Sequence, residues 1–138
     1  MHLKLVLDTN VVVSGNISSG SPPNIVMEAC FSEKGPVAVV SGDILEEYER
    51  KLRSITEVRA SDRYYTMRMI SKYAEYVESP ATLRIVKEDS DDDKLFEAAV
   101  EAQADCIVSG DSHVLDIGDY SGIEILNPRE AADRLELR

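Results

Sequence analysis

Short apolar runs alternate along the chain with segments of helical periodicity. Runs of three to five mainly apolar residues bounded by turn residues are typical of buried parallel strands. Four such runs are residues 3–7, 37–40, 106–108 and 123–126. Residues 83–86 form a weaker fifth candidate, because Arg84 interrupts the run and Pro80 lies shortly before it.

The intervening segments have apolar residues at helical spacing. The predicted helices are residues 23–32, 43–55, 62–77, 92–103 and 129–135. Their alternation with strands predicts an α/β sandwich, with helices on both faces of a mostly parallel sheet and right-handed crossovers. The glycine- and serine-rich residues 14–21, which follow the first strand, are predicted to form a mobile loop.

Length and composition favour a single domain that spans residues 1–138. The chain is 43% hydrophobic, and no apolar run approaches the roughly 20 residues needed to span a bilayer, so no membrane insertion is expected. Cys30 and Cys106 lie far apart in apolar runs without CxxC spacing, which predicts two reduced core thiols. These features together favour a cytoplasmic protein.

The net charge of −11 by itself argues against binding to nucleic acid. Its distribution changes this interpretation, because residues 50–72 contain seven basic residues against two acids. A basic rim beside an acidic pocket would have this pattern, and so would an ordinary solvated helix face.

Two acids follow predicted strands directly. Asp8 follows residues 3–7, and Asp111 follows residues 106–108 across Ser109 and Gly110. Open α/β sheets place their functional sites at the carboxyl ends of the strands, so these acids are candidates for one site. The alternative for each is a structural role in capping a turn or the next helix.

Two predicted helices contribute further acids. Asp92 falls on the inward face of its helix, where an acid needs a cation, an Arg or backbone donors unless it caps the helix, whereas Asp91 and Asp93 are predicted on the flanks. In the helix at residues 43–55, which Ser41 is expected to cap, Glu47 and Glu49 border the apolar stripe on opposite sides. Periodicity does not choose between these two.

Converging carboxylates need cations between them, and oxygen-only ligation suits Mg²⁺ or Mn²⁺. A zinc site is not expected, because His2 is terminal and His113 lacks a partner at ligand spacing. The chain also lacks a GxSxG elbow, a Walker A loop and a GxGxxG fingerprint.

Three segments of the chain together resemble the PIN-domain family, which includes the VapC-type toxins of toxin-antitoxin pairs. The sequence Val-Leu-Asp-Thr-Asn-Val at residues 6–11 resembles the first strand and first acid of the family. Residues 89–99 resemble the helix of the third acid, especially in the branch described as toxin components, and residues 104–111 resemble the strand that delivers the fourth.

The resemblance implies a central sheet ordered 3-2-1-4-5 and a Mg²⁺- or Mn²⁺-dependent endoribonuclease. Family spacing from Ser41 selects Glu47 as the second acid. Asp92 is the implied third acid, and a one-residue shift in the match to the family would make Asp93 the third acid instead. The implied catalytic and metal-binding residues are Asp8, Glu47, Asp92 and Asp111. Residues implied to support them are Thr9, Asn10, Asp93, Ser109 and Asp116, the last because His113 stands where many members carry another acid.

The predicted partners are an RNA substrate, an antitoxin protein and a second copy of the chain in a homodimer. Arg50, Lys51 and Arg53 are expected to bind RNA, because their helix carries Glu47. A haloacid-dehalogenase-like phosphatase is disfavoured, because Asn10 stands where its second Asp is needed, and a receiver-like domain is disfavoured because no Lys follows a late strand. The alternatives that remain are an RNA-processing nuclease outside a toxin-antitoxin pair and a non-catalytic PIN-fold interaction domain.

Overall fold

A sheet of six strands forms the centre of the part of the chain that the computed structural model describes, residues 2–78 and 93–136. The strands are β1 (Lys4–Leu7), β2 (Val37–Val40), β3 (Glu75–Tyr76), β4 (Cys106–Val108), β5 (Asp119–Tyr120) and β6 (Ile123–Leu126). Their order is β3-β2-β1-β4-β6-β5, and all neighbours are parallel except β5 and β6.

Helices flank this sheet. In the described residues they are α1 (Thr9–Ile17), α2 (Pro22–Ala29), α3 (Gly42–Ser54), α4 (Ala60–Tyr73), α5 (Asp93–Ala102), α6 (Ser112–Leu115) and α7 (Pro128–Arg134). The fold class is therefore the predicted α/β/α sandwich. The strand order differs slightly from the predicted 3-2-1-4-5, because β5 adds an antiparallel strand at one edge and the edge strand at the other side is residues 75–76.

The hydrophobic core surrounds β1, where Leu5, Val6 and Leu7 are at most 2% exposed. Both cysteines are buried and free, as predicted. Burial raises the pKa of Cys30 to about 12 and that of Cys106 to about 11. No helix in the described residues is long and apolar enough to cross a membrane.

Helix starts agree with the capping signals in the sequence. The Ser41 side chain accepts a hydrogen bond from the Ile44 N–H at 3.3 Å at the start of α3. At the start of α7, Asn127 and Glu130 form a reciprocal capping box. The predicted ends of α2, α3 and α7 therefore lie within about one turn of the observed ends.

The segment predicted as a mobile loop, residues 14–21, is helical in its first half, and for that half the prediction was wrong. α1 begins directly after Asp8 and extends to Ile17, so it includes residues 14–17. Gly15 permits close packing, because a Cβ there would lie 3.1 Å from Met27 Sδ and 3.2 Å from the Pro23 carbonyl oxygen. The glycine thus reflects the contact between α1 and α2 rather than mobility.

The predicted helix at residues 62–77 was too long. α4 ends at Tyr73, and residues 75–76 form β3 beside β2. The Val77 N–H donates to the Val40 carbonyl at 2.9 Å, which extends this pairing. Strand pairing therefore overrides local helical periodicity here. The predicted strand at residues 83–86 lies outside the described residues.

Candidate active site

The carboxyl edge of the sheet brings three predicted acids to one cleft. Leu7 of β1 lies opposite Val108 of β4, so Asp8 and the loop leading to Asp111 lie at the same edge. α3 adds Glu47, and the three carboxylates line a cleft of about 320 Å³. Three elements that are distant in sequence therefore contribute to one surface.

Ser109 connects two of these acids. Its fully buried hydroxyl donates to Asp8 Oδ2 at 2.6 Å and accepts from the Asp111 N–H at 3.0 Å. One side chain thus holds Asp8 and fixes the backbone that carries Asp111. Ser109 therefore contacts two of the acids that it was predicted to support, and its role there stays a prediction.

The other residues around these acids are also held locally. Thr9 is buried and lines the cleft, and Asn10 accepts from the Gly110 N–H through Oδ1 at 3.3 Å. Asp111 Oδ1 accepts from the His113 N–H at 2.8 Å and so caps α6. Asp111 therefore combines the capping role with a place in the cleft.

The environments of Asp8 and Glu47 shift their pKa values in opposite directions. Burial raises the pKa of Asp8, and the charges of Glu47 and Asp111 add to this, although the hydrogen bond from Ser109 opposes it. Burial by itself would raise the pKa of Glu47, but Lys94, the Thr9 side chain and Arg50 lower it overall. Glu47 is therefore the better stabilised anion.

Lys94 contacts one of the acids of this site, and the periodicity of the sequence did not predict this contact. It forms an ion pair with Glu47 in which the two side chains are 18% and 16% exposed. The Lys follows Asp93 near the start of α5, and no sequence signal shows that α5 meets α3 there. A second unpredicted contact is the hydrogen bond from the buried Tyr48 hydroxyl to the Leu7 carbonyl at 2.5 Å, just before Asp8.

The remaining predicted acids differ in position. Asp92 lies outside the described residues. Asp93 is only 5% exposed, so the prediction that it points to a flank was wrong, because the buried surface of α5 begins with this residue. Asp116 and His113 are exposed at α6, and neither lines the cleft.

The basic residues of α3 differ in their positions relative to the cleft. Lys51 lines the cleft, and Arg50 is near enough to influence Glu47. Arg53 is instead 65% exposed and pairs with Glu49 at 2.5 Å. Only part of the predicted basic set therefore lies beside the acids.

The donor chemistry suits a hard divalent cation, because the acids in the cleft supply only oxygen. Within residues 2–78 and 93–136, however, no group of three acidic, His or Cys side chains is arranged to hold a metal ion. Asp8, Glu47 and Asp111 thus provide oxygen donors along one cleft without forming a closed ligand set. The fourth implied acid, Asp92, immediately precedes the described start of α5.

Comparisons with known proteins identify the family. A profile described as PIN domain matches residues 4–113, which is most of the chain, and the protein therefore belongs to the PIN domain family. Members of this family are generally nucleases that use divalent metal ions.

Among solved structures, the crystal structure of VapBC2 from Rickettsia felis bound to a DNA fragment from their promoter is similar to this chain. The match has a TM-score of 0.58 at 13% identity and covers 91% of this chain and 98% of that chain. At this identity the likeness concerns the fold. No curated protein matches the chain.

Proposed function

We propose that the protein is an endoribonuclease that hydrolyses RNA phosphodiester bonds with Mg²⁺ or Mn²⁺, and that it is the toxin of a toxin-antitoxin pair. The observation that carries the proposal is the convergence of Asp8, Glu47 and Asp111 on one cleft of a PIN domain. In this proposal residues 1–138 form a single nuclease domain that acts in the cytoplasm.

Asp8, Glu47 and Asp111, with Asp92 as the fourth acid, would hold the divalent ion. When bound, such an ion lowers the pKa of water and stabilises negative charge that develops on the phosphodiester. Ser109 orients Asp8 through its 2.6 Å hydrogen bond, the Thr9 side chain hydrogen-bonds to Glu47, and Asn10 holds the backbone at Gly110. Lys51 places a positive charge at the cleft, where the RNA backbone approaches the acids.

The toxin assignment is supported by the fold likeness to a VapBC2 complex bound to promoter DNA. By analogy, this chain would form a complex with an antitoxin, and that complex would bind promoter DNA. The homodimer predicted from the sequence is a separate part of the proposal. The neighbouring reading frame tests this assignment. We expect a short frame that encodes a DNA-binding amino terminus and an amphipathic tail, and its absence would favour RNA processing instead.

Cleavage of a fluorescent single-stranded RNA tests the catalytic proposal. The wild type should cleave with Mn²⁺ and stop with chelator, and Asp8→Asn should lose on the order of a hundredfold or more in rate. Asp105→Asn is the matched control, because Asp105 Oδ2 accepts from the Lys4 N–H at 2.8 Å at the other edge of the sheet. Equal cleavage by wild type and Asp8→Asn would refute the nuclease proposal and favour the non-catalytic interaction domain.

A further inference from the structure

The ion pair between Lys94 and Glu47 places a protein cation on one of the acids of the cleft. Both side chains are largely buried, so water screens the pair less than it would on an open surface. Glu47 also lines the cleft and contributes to raising the pKa of Asp8. Lys94 therefore neutralises a carboxylate that belongs to the group of mutually repelling acids.

Lys94 is the second residue of the part of α5 that the structure describes. Its partner is Glu47 on α3, a residue 47 positions earlier in the chain. The pair therefore stabilises the contact between two helices and directs the Glu47 carboxylate.

We propose that Lys94 is a positioning residue that holds Glu47 in the cleft and competes with a divalent cation for its carboxylate. This inference rests on the metal binding in the proposed function. In the ion-free protein, Lys94 keeps Glu47 oriented and relieves part of the repulsion among the acids. An entering cation has to share Glu47 with Lys94, so Lys94 makes cation binding weaker than the carboxylates alone would make it.

Calorimetric titration of the chelator-treated protein with Mn²⁺, without RNA, tests the inference. Lys94→Met should bind Mn²⁺ on the order of tenfold more tightly, because it removes a positive charge from a largely buried site. Lys94→Arg keeps the charge and should remain near the wild type. Lys4→Met is the matched control, since it removes a half-buried Lys that pairs with Glu75 at 3.1 Å. The Mn²⁺ affinity of Lys4→Met should equal that of the wild type.

The outcomes separate this inference from the proposed function. If the wild type binds Mn²⁺ and Lys94→Met binds it equally or more weakly, only the competition by Lys94 is refuted. If neither protein binds Mn²⁺, the metal-binding part of the proposed function fails as well. A lower melting temperature of Lys94→Met with unchanged affinity would indicate a purely structural ion pair and also refute the inference.

A measurement on the wild type keeps the inference testable if Lys94→Met does not fold. The side-chain ammonium signal of Lys94 can be followed by ¹⁵N NMR during titration with Mg²⁺. We expect this signal to move as Glu47 is shared with the ion, while the Lys4 signal stays in place. A Lys94 signal that does not move at saturating Mg²⁺ would overturn the inference.

Discussion

At the amino edge of the sheet Lys4 is surrounded by acceptors, whereas at the carboxyl edge three acids share one cleft. Lys4 Nζ lies 3.1 Å from Glu75 Oε1 and donates to the Ala102 carbonyl at 3.2 Å, and its backbone N–H donates to Asp105 at 2.8 Å. Among the residues that the structure describes, neither Asp8 nor Asp111 forms an ion pair with a basic side chain.

The difference supports the proposal that the carboxyl edge binds a cation. A cluster in which every charge has a partner stabilises the fold and gains nothing from an added ion. Acids kept close together with fewer counter-charges reduce stability until a cation binds. The same sheet therefore has one edge arranged for stability and one suited to binding.

After the loss of Asp8 itself, the largest effect is expected when the link between Asp8 and Asp111 is removed. Ser109→Ala should reduce RNA cleavage by about 10- to 100-fold, the range seen when a group that orients a metal ligand is lost. Steady-state cleavage rates measure this effect. Thr66→Val is the control, because it removes another buried hydroxyl, which donates to Asn16 at 2.8 Å outside the cleft. Equal losses in both variants would indicate general destabilisation.

Neutralising one charge at each edge should change the stability of the metal-free protein in opposite directions. Lys4→Met should lower the free energy of unfolding by about 1 kcal/mol, because it leaves acceptors at the amino edge without their donor. Asp8→Asn should raise it slightly, because it removes a charge that is buried and is repelled by Glu47 and Asp111. Denaturant titrations at low salt with chelator provide the measurement, and destabilisation by both variants would contradict the contrast between the edges.

The effect of Asp8→Asn should also depend on pH. The pKa of Asp8 is raised in the folded protein, so its stabilising contribution is present at low pH and is lost as the pH rises through that value. The advantage of Asp8→Asn should therefore be greatest near neutral pH and shrink as the pH falls through the pKa of Asp8.

The smallest effect concerns the basic residues of α3. Lys51→Ala should weaken RNA binding several-fold and reduce the slope of log affinity against log salt by about 0.7, the value for one phosphate contact on a single strand. Arg53→Ala should have less effect, because Arg53 is 65% exposed and already paired with Glu49. Fluorescence anisotropy at several salt concentrations distinguishes them, and equal slopes for Lys51→Ala and wild type would show that Lys51 does not contact the RNA backbone.

Periodicity and capping signals predicted most of the fold. The strands around β1 and the helix start at Ser41 could be predicted from the sequence, because each depends on neighbouring residues. α1 was missed because the glycines and serines of residues 14–21 suggested a loop, although Gly15 serves a contact with α2. β3 was missed because residues 75–76 depend on pairing with β2, which lies far away in sequence.

The part of the candidate site that follows from strand order could be predicted from the sequence. Asp8 and Asp111 follow adjacent parallel strands, so their placement at one edge could be expected from the sequence. Periodicity left Glu47 and Glu49 equivalent, and packing separates them. Glu47 lines the cleft, whereas Glu49 pairs with Arg53 at 2.5 Å and Arg63 at 3.6 Å.

The sequence by itself determined the α/β class, the family resemblance and the acids at the strand ends, because these depend on short-range periodicity and motifs. Only the tertiary structure decided which charges meet. Lys94 reaches Glu47 because α5 packs beside α3, and Ser109 reaches Asp8 because β4 pairs with β1. Such contacts join residues that are distant in the chain, so no local pattern specifies them, and their strength depends on the burial that the completed fold provides.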